Sequence, residues 1–180
     1  MIKVFIIVTV ILILFALIMI YITKYNLMQY FITKIDTAES IIDETLRTRY
    51  DLLNKMSKII KSKVKSTKEY FKQYEKKEEN ISNFDFDRRL TEYLTLCESV
   101  VHDHTVLENN KDIEVLFNEL KNNEEKLVAT KNYYNRETTE LNILIRRFPT
   151  NIIAKIHRIK IHTYFDGKDL TDDIVDDFKM

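Results

Sequence analysis

Turn-forming residues are almost missing from this chain. Its 180 residues contain one proline, Pro149, and one glycine, Gly167, and nothing earlier than Pro149 belongs to either type. β-Hairpins and α/β units depend on glycine-rich turns, whereas glycine and proline interrupt long helices. The chain is therefore predicted to be all-α, with a sharp corner at Pro149 and a short helix after it that is capped by Thr150 or Asn151.

The N-terminal run at residues 4–22, VFIIVTVILILFALIMIYI, has no charged side chain. A helix needs about 20 apolar residues to cross the roughly 30 Å hydrocarbon core of a bilayer. The run is longer than the apolar part of a signal peptide and no small-residue cleavage motif follows it. It also lacks the polar stripe of a helix in a soluble core. Residues 1–23 are therefore predicted to be a single transmembrane anchor that contacts the lipid bilayer through residues 4–22.

The charges on either side of this run specify its orientation only weakly. Lys3 and the α-amine precede the run, and Lys24 and Lys34 follow it. Positive charge favours the cytoplasmic side of a membrane, but the two counts are nearly balanced. The small difference favours a single-pass protein of the cell membrane whose remaining residues lie in the cytoplasm.

Beyond the anchor, apolar residues recur at steps of three and four, which is the period of one helix face. The first stripe continues to about residue 77, and two further helices are predicted to begin after the capping residues Ser82 and Asn110, the last of them ending with the apolar Phe148. Because partner helices have to cover these stripes, residues 24–165 are predicted to form one helical domain. Aspartates dominate residues 166–180, which are predicted to be an acidic, disordered tail.

The sequence contains no motif for a catalytic or cofactor site. One glycine is too few for a phosphate-binding loop, and no metalloprotease, hydrolase or calcium-binding motif is present. Cys97 lies on the apolar stripe of the second helix, and a helix would point His102 and His104 in different directions. The prediction is a protein that is not an enzyme and has no cofactor or metal. An enzyme that uses Cys97 or the histidines is the less favoured alternative.

The charge pattern argues against a nucleic-acid partner and suggests contact with a membrane surface. Twenty-eight Lys and Arg balance twenty-eight Asp and Glu, so no nucleic-acid partner is predicted. Residues 146–160, however, contain five basic residues, several isoleucines and no acidic residue, a composition typical of a helix on a membrane surface. The predicted interaction or lipid-facing residues are Arg146, Arg147, Lys155, Arg158 and Lys160.

Several short motifs, in their order and spacing, resemble the LemA family of bacterial membrane-anchored helical proteins. The matching segments begin just after the anchor, continue in IIDETLRTRYDLLNKM, and end in Leu141-Asn142 and FPTNIIAKI. The matching polar and turn residues are Tyr25, Asn26, Asp43, Arg49, Asp51, Tyr134, Asn135, Phe148, Pro149 and Asn151. The chain departs from the family in having Asn54 in place of a proline and Arg158-Ile159 in place of glycine-phenylalanine.

This resemblance implies an antiparallel four-helix bundle on one N-terminal membrane helix, without enzymatic activity. The leading functional prediction is a membrane-tethered helical scaffold, or coiled-coil-like interaction module, with an unknown protein partner. Two roles are predicted for the charged residues Asp43, Arg49 and Asp51. They form ion pairs that fix helix register, or they form a surface that binds the partner. A homo-oligomer is also compatible with the sequence. The alternative function is membrane-surface binding or remodelling by residues 146–160.

Overall fold

The computed structural model describes residues 1–75 and 81–167. Over these residues the protein is all-α, as predicted, and the part described contains no strand. Residues 168–180 of the predicted acidic tail lie outside the described residues. The helices are α1, Ile2–Lys63; α2, Lys68–Glu75; α3, Asn83–His102; α4, Thr105–Glu108; α5, Lys111–Arg146; and α6, Thr150–Ile156.

The first apolar stripe is divided between two helices, so the prediction of one helix to about residue 77 is wrong. Val64 has an extended backbone, with φ −124° and ψ 91°, and a 3-10 turn, Lys65–Thr67, leads into α2. The Thr67 hydroxyl donates to the carbonyl oxygen of Val64 at 2.7 Å, and such local bonds compete with helix continuation. Thr67 and Phe71 are both buried, so the stripe still supplies core side chains after the helix restarts.

Capping hydrogen bonds confirm the two predicted helix starts. The Ser82 hydroxyl accepts from the backbone N–H of Asp85 at 3.1 Å, and α3 begins directly after Ser82. The Asn110 side-chain oxygen accepts from the N–H groups of Asp112 at 2.9 Å and Ile113 at 3.2 Å, at the start of α5. Each side chain satisfies backbone donors that a helix N-terminus leaves without an intrahelical acceptor.

The chain divides into two compact units. The central unit is Ala38–Tyr133, and the terminal unit combines Met1–Thr37 with Tyr134–Met180; α1 and α5 contribute residues to each. In the central unit the Tyr74 and Tyr93 rings stack with centroids 4.6 Å apart, and the Tyr93 hydroxyl donates to Asn54 Oδ1 at 3.2 Å. Asn54 therefore accepts a bond from α3 at the position where the LemA motif has proline.

The terminal unit has its own apolar centre, built by α1, α5 and α6. Partly buried side chains, including Tyr25, Phe31 and Ile159, pack around it. α6 is short, so its place in the fold depends on this packing more than on its own helical propensity. The buried residues of the centre are Met28, Ile35, Leu141, Ile153 and Ala154.

The corner at Pro149 is confirmed, but the cap predicted after it is wrong. α5 ends at Arg146, the Phe148-Pro149 peptide is cis, and α6 begins at Thr150 without a side-chain cap. The Thr150 hydroxyl instead donates to the carbonyl oxygens of Leu144 and Arg147. It therefore satisfies carbonyl groups at the C-terminus of α5, where helical acceptors have no intrahelical donor.

Arg158 has a left-handed backbone, with φ 54°, just past the end of α6. The Ile159 N–H donates to the carbonyl oxygen of Ala154 at 2.9 Å, the six-to-one hydrogen bond of a helix that ends in a left-handed residue. Glycine adopts this conformation at least cost because it has no Cβ. The chain thus has arginine at the position where the LemA motif has glycine.

Replacing Arg158 with glycine is expected to raise the free energy of unfolding by about 0.5–1 kcal/mol, because the strain of the left-handed conformation is removed. The measurement is chemical denaturation of the full chain in detergent. Lys160→Gly in the neighbouring non-helical segment is the matched control and is expected to bring no gain. An Arg158→Gly variant that is no more stable than Lys160→Gly would contradict this prediction.

Candidate functional site

An ion-pair network around the buried Arg49 joins three helices of the central unit. Arg49 on α1 is 3% exposed, and its Nη1 lies 3.2 Å from Asp87 Oδ1 on α3 and 2.5 Å from Glu124 Oε2 on α5. Lys131 Nζ on α5 lies 2.8 Å from the other carboxylate oxygen of Asp87. Two cations and two carboxylates meet here without net charge, and such pairing is what allows charged groups to be buried.

The network distinguishes the roles of the family-matching polar residues on α1. Arg49 belongs to it and has a structural role, whereas Asp43 forms an exposed ion pair with Arg47 one helical turn away, at 2.8 Å. Asp51 is exposed and forms no ion pair with the residues described. Arg49 therefore has the contacts that the register interpretation expects, and a partner role for Asp51 stays a prediction.

Asp51 lies beside a small surface pocket of the central unit. Arg47, Tyr50, Asp51 and Phe86 line the pocket, and the Tyr50 and Phe86 ring centroids are 6.1 Å apart. An exposed carboxylate next to aromatic rings suits a basic side chain of a partner, which would pair with the acid and pack on the rings. We call these four residues the Asp51 surface.

In the terminal unit, two asparagines of α5 bind the main chain of the non-helical segment after α6. Asn142 is fully buried; its Nδ2 donates to the carbonyl oxygen of His162 at 2.7 Å and its Oδ1 accepts from the His162 N–H at 2.9 Å. Asn135 Oδ1 accepts from the Phe165 N–H at 2.9 Å. Seven residues, about two turns, separate the asparagines, so they lie on one face of α5. Both belong to motifs that the sequence matched to the family.

The family-matching tyrosines add further contacts in the same unit. The Tyr134 hydroxyl donates to the carbonyl oxygen of Thr163 at 3.2 Å. The ring of Tyr25 lies 4.3 Å from that of His157, and the Tyr21 hydroxyl is 2.6 Å from His157 Nε2. His157 therefore ties the C-terminus of α6 to the last turn of the apolar run. Asn26, which also matches the family motif, is exposed.

A second polar centre lies between α1 and α5 in the terminal unit. The Glu137 carboxylate is buried and lies 3.1 Å from Lys34 Nζ and 3.0 Å from Arg136 Nη2. Burial favours the protonated acid, but the hydrogen bonds and charges of Lys34 and Arg136 hold the pKa of Glu137 below its usual value. The sequence reasoning missed this pair because its two members lie 103 residues apart.

The basic residues at 146–160 are all exposed, but they do not lie on one helix. Arg146 ends α5, Lys155 lies on α6, and Arg158 follows α6. Pro149 interrupts the helix that the composition suggested, because proline has no N–H and clashes with the preceding turn. Within the described ranges, none of the basic residues Arg146, Arg147, Lys155, Arg158 and Lys160 forms an ion pair.

Two other family-matching residues near this corner differ from their predicted roles. Phe148, predicted as the last apolar position of the third helix, is 75% exposed. Asn151 does not cap α6; its side-chain oxygen is buried and has no hydrogen-bond partner among the residues described. Its backbone N–H donates to the carbonyl oxygen of Arg147 at 2.8 Å, which helps to form the corner.

The residues considered for catalysis lie in and just after the C-terminal part of α3. Cys97 is buried, and this burial, with a smaller contribution from Glu98, raises the pKa of the thiol to about 12. His102 is exposed, whereas His104 Nδ1 lies 2.9 Å from the carbonyl oxygen of Val100. Among the described residues, no group of His, Cys, Asp and Glu is arranged to hold a metal ion. The absence of enzymatic activity stays a prediction.

Arg49→Met is expected to lower the free energy of unfolding by about 2 kcal/mol, because it removes the buried guanidinium that pairs with the partly exposed carboxylates of Asp87 and Glu124. Arg47→Met, two residues away on α1, breaks an exposed pair and is expected to cost less than about 1 kcal/mol. Both values are measured by urea denaturation of the full chain in detergent. Equal losses in the two variants would contradict a structural role for the buried network.

Glu137→Gln is expected to destabilise the protein by about 1–2 kcal/mol at neutral pH, since it removes charged hydrogen bonds. The pKa of Glu137 is lower in the folded protein, so its stabilisation is present above the usual value of 4.5 and is lost as the pH falls through the folded value. Unfolding measured against pH should therefore show the difference from wild type shrinking below pH 4.5. The exposed Glu140→Gln is the control, with an expected change below about 0.5 kcal/mol at neutral pH.

The comparison with protein families gives an independent test of the motif resemblance. The model of the LemA family matches residues 38–176, which is more than half of the chain and includes Arg49, Asp51, both α5 asparagines and Pro149. No curated protein and no solved structure matches the chain. The family match confirms the resemblance, and the chain belongs to the LemA family.

Proposed function

We propose that this protein is a membrane-tethered helical interaction module whose Asp51 surface binds a protein partner. The observation that carries the proposal is the N-terminal part of α1, where an apolar stretch long enough to span a bilayer has no buried residue. A helix in a soluble protein buries its apolar face, and a helix that is apolar on every side is suited to lipid as its solvent.

The tether would hold the helical domain close to the membrane. α1 continues without a break from the apolar run into the packed part of the terminal unit, and its first buried residue is Met28. Tethering raises the local concentration of the domain for any partner at the same membrane. Lys24 and Lys34, just past the run, favour the cytoplasmic side.

The proposal also includes the arrangement of the helices after the tether. Residues 24–165 would form the antiparallel four-helix bundle that the family resemblance implies. Its support is the helical content of the described residues, the length of α1, α3 and α5, and the buried Arg49 network that connects these three helices. The acidic residues 166–180 would follow the bundle.

The Asp51 surface is the proposed binding site because packing of the core does not involve Asp51. Asp51 matches a family motif, yet it is exposed and takes no part in the ion pairs of its neighbours. An exposed carboxylate that forms no ion pair among the described residues can bind a cation of a partner without disturbing the core. The chemistry of the surface favours a partner with an exposed arginine or lysine next to an apolar contact.

Alkaline carbonate extraction tests the tether. Membranes that contain the full chain are compared with those from cells that express a variant beginning at Lys24. We expect the full chain to stay with the membrane and the shortened chain to be released. Release of the full chain would contradict the tether.

Site-specific photo-crosslinking tests the partner surface. A photoreactive residue replaces Lys55, which is exposed on α1 one turn beyond Asp51, and membranes are irradiated. We expect a protein adduct that falls about tenfold when Asp51→Lys replaces attraction by repulsion, the change that about 1.4 kcal/mol of binding energy produces. Glu39→Lys, the same charge change at an exposed site on α1, should leave the adduct unchanged. An adduct that does not depend on Asp51 would sink the proposal for this surface.

A further inference from the structure

We infer that the exposed face of α6 binds anionic phospholipid at the membrane interface. The inference rests on the proposed function, because it takes residues 4–22 as a membrane span. It adds a second membrane contact, with a defined lipid chemistry, to the one made by the span. Three independent observations in the terminal unit support it: exposed apolar side chains, cations without an ion pair among the described residues, and a fixed position beside the apolar run.

The first observation is that α6 exposes apolar side chains that the core does not use. Ile153 and Ala154 are buried, whereas Phe148, Ile152 and Ile156 are 75%, 50% and 62% exposed. Ile152 and Ile156 are one helical turn apart and lie on the same face of α6, and Phe148 stands four residues before Ile152 at the corner. Two large apolar side chains thus lie on the outer face of α6, and a third, Phe148, is exposed at the corner that precedes this helix.

The second observation is the charge around these side chains. Residues 146–160 contain no acidic residue, and their five exposed arginines and lysines make no ion pair within residues 1–75 and 81–167. Apolar residues that enter the acyl-chain boundary next to cations that meet phosphate groups are the composition of an interfacial helix. The negative surface potential of anionic lipids attracts such cations.

The third observation fixes the position of α6 relative to the apolar run. His157, directly after α6, lies 2.6 Å from the hydroxyl of Tyr21, and its ring packs on that of Tyr25. Tyr21 lies in the last turn of the apolar run, where tyrosines are enriched at membrane interfaces. With the run in a bilayer, the C-terminal end of α6 is held at the level of the headgroups. The occupant that meets this face is therefore lipid.

The test uses the full chain, with Cys97→Ala, reconstituted into vesicles. A single cysteine replaces Ile152, or Ile156 in a second variant, and carries a fluorophore that is quenched by nitroxide groups on lipid headgroups. The control cysteine replaces Thr37, an exposed residue of α1 about 24 Å beyond Tyr21 along the same helix. We expect at least about twofold stronger quenching at the α6 sites, because only these lie within headgroup range.

Lipid composition and charge variants test the anionic preference. Quenching at Ile152 is expected to be stronger in vesicles of phosphatidylcholine with phosphatidylglycerol than in phosphatidylcholine alone, and salt should reduce the difference. Joint Arg147→Gln and Lys155→Gln changes should abolish this difference. Lys65→Gln with Lys68→Gln, which removes the same charge from exposed residues of the central unit, should preserve it.

Each outcome decides a separate point. Equal quenching at Ile152 and Thr37 in protein that resists carbonate extraction would overturn the α6 inference and leave the tether intact. Release by carbonate would overturn the tether itself. Strong quenching at Ile152 only in a variant that ends at Gly167 would mean that the acidic residues 168–180 occupy the α6 face in the full chain, and this would also overturn the inference.

Discussion

The fold depends on α1, a continuous helix whose first part has exposed apolar side chains and whose second part has side chains buried in the core. From Ile2 to Lys63, α1 keeps one ladder of backbone hydrogen bonds, and such a ladder leaves few backbone groups that need water. Its side chains carry no charge from Val4 to Ile22, and they then form one buried row that begins at Met28. Without a glycine or proline between these parts, the same helix serves as the proposed tether and as a wall of the core.

Each unit then has its own ion pair that helps to fix its packing. Apolar residues repeat at nearly equal steps along a helix. They therefore determine which helix faces pack together, but they determine the axial register between two helices less precisely. A buried ion pair has no equivalent one turn away, and polar groups of this kind can specify register. In the central unit this role falls to Arg49 and Asp87, and in the terminal unit to Glu137 and Lys34.

The sequence predicted the features that depend on nearby residues. The helical class and the starts of α3 and α5 follow from periodicity and from the side chains of Ser82 and Asn110. The partners of Arg49 and Asn142 were not predicted, because they depend on contacts between distant parts of the chain. The break at Val64 was missed because no glycine or proline marks it and the apolar stripe continues beyond it. Thr150 shows that prediction can also fail between neighbouring residues. Its hydroxyl could bond to the N-terminus of α6 or to the C-terminus of α5, and the geometry of the folded corner determines that it bonds to α5.

The attachment of the segment after α6 has a consequence for how the family can diverge. Asn142 holds both backbone polar groups of His162, and Asn135 holds the N–H of Phe165. These bonds depend on the main chain, so they are indifferent to most side chains in the segment. Ile161 and Thr163 are exposed there. The exposed side chains of this segment can therefore be substituted one by one, while the two asparagines continue to bind the same backbone.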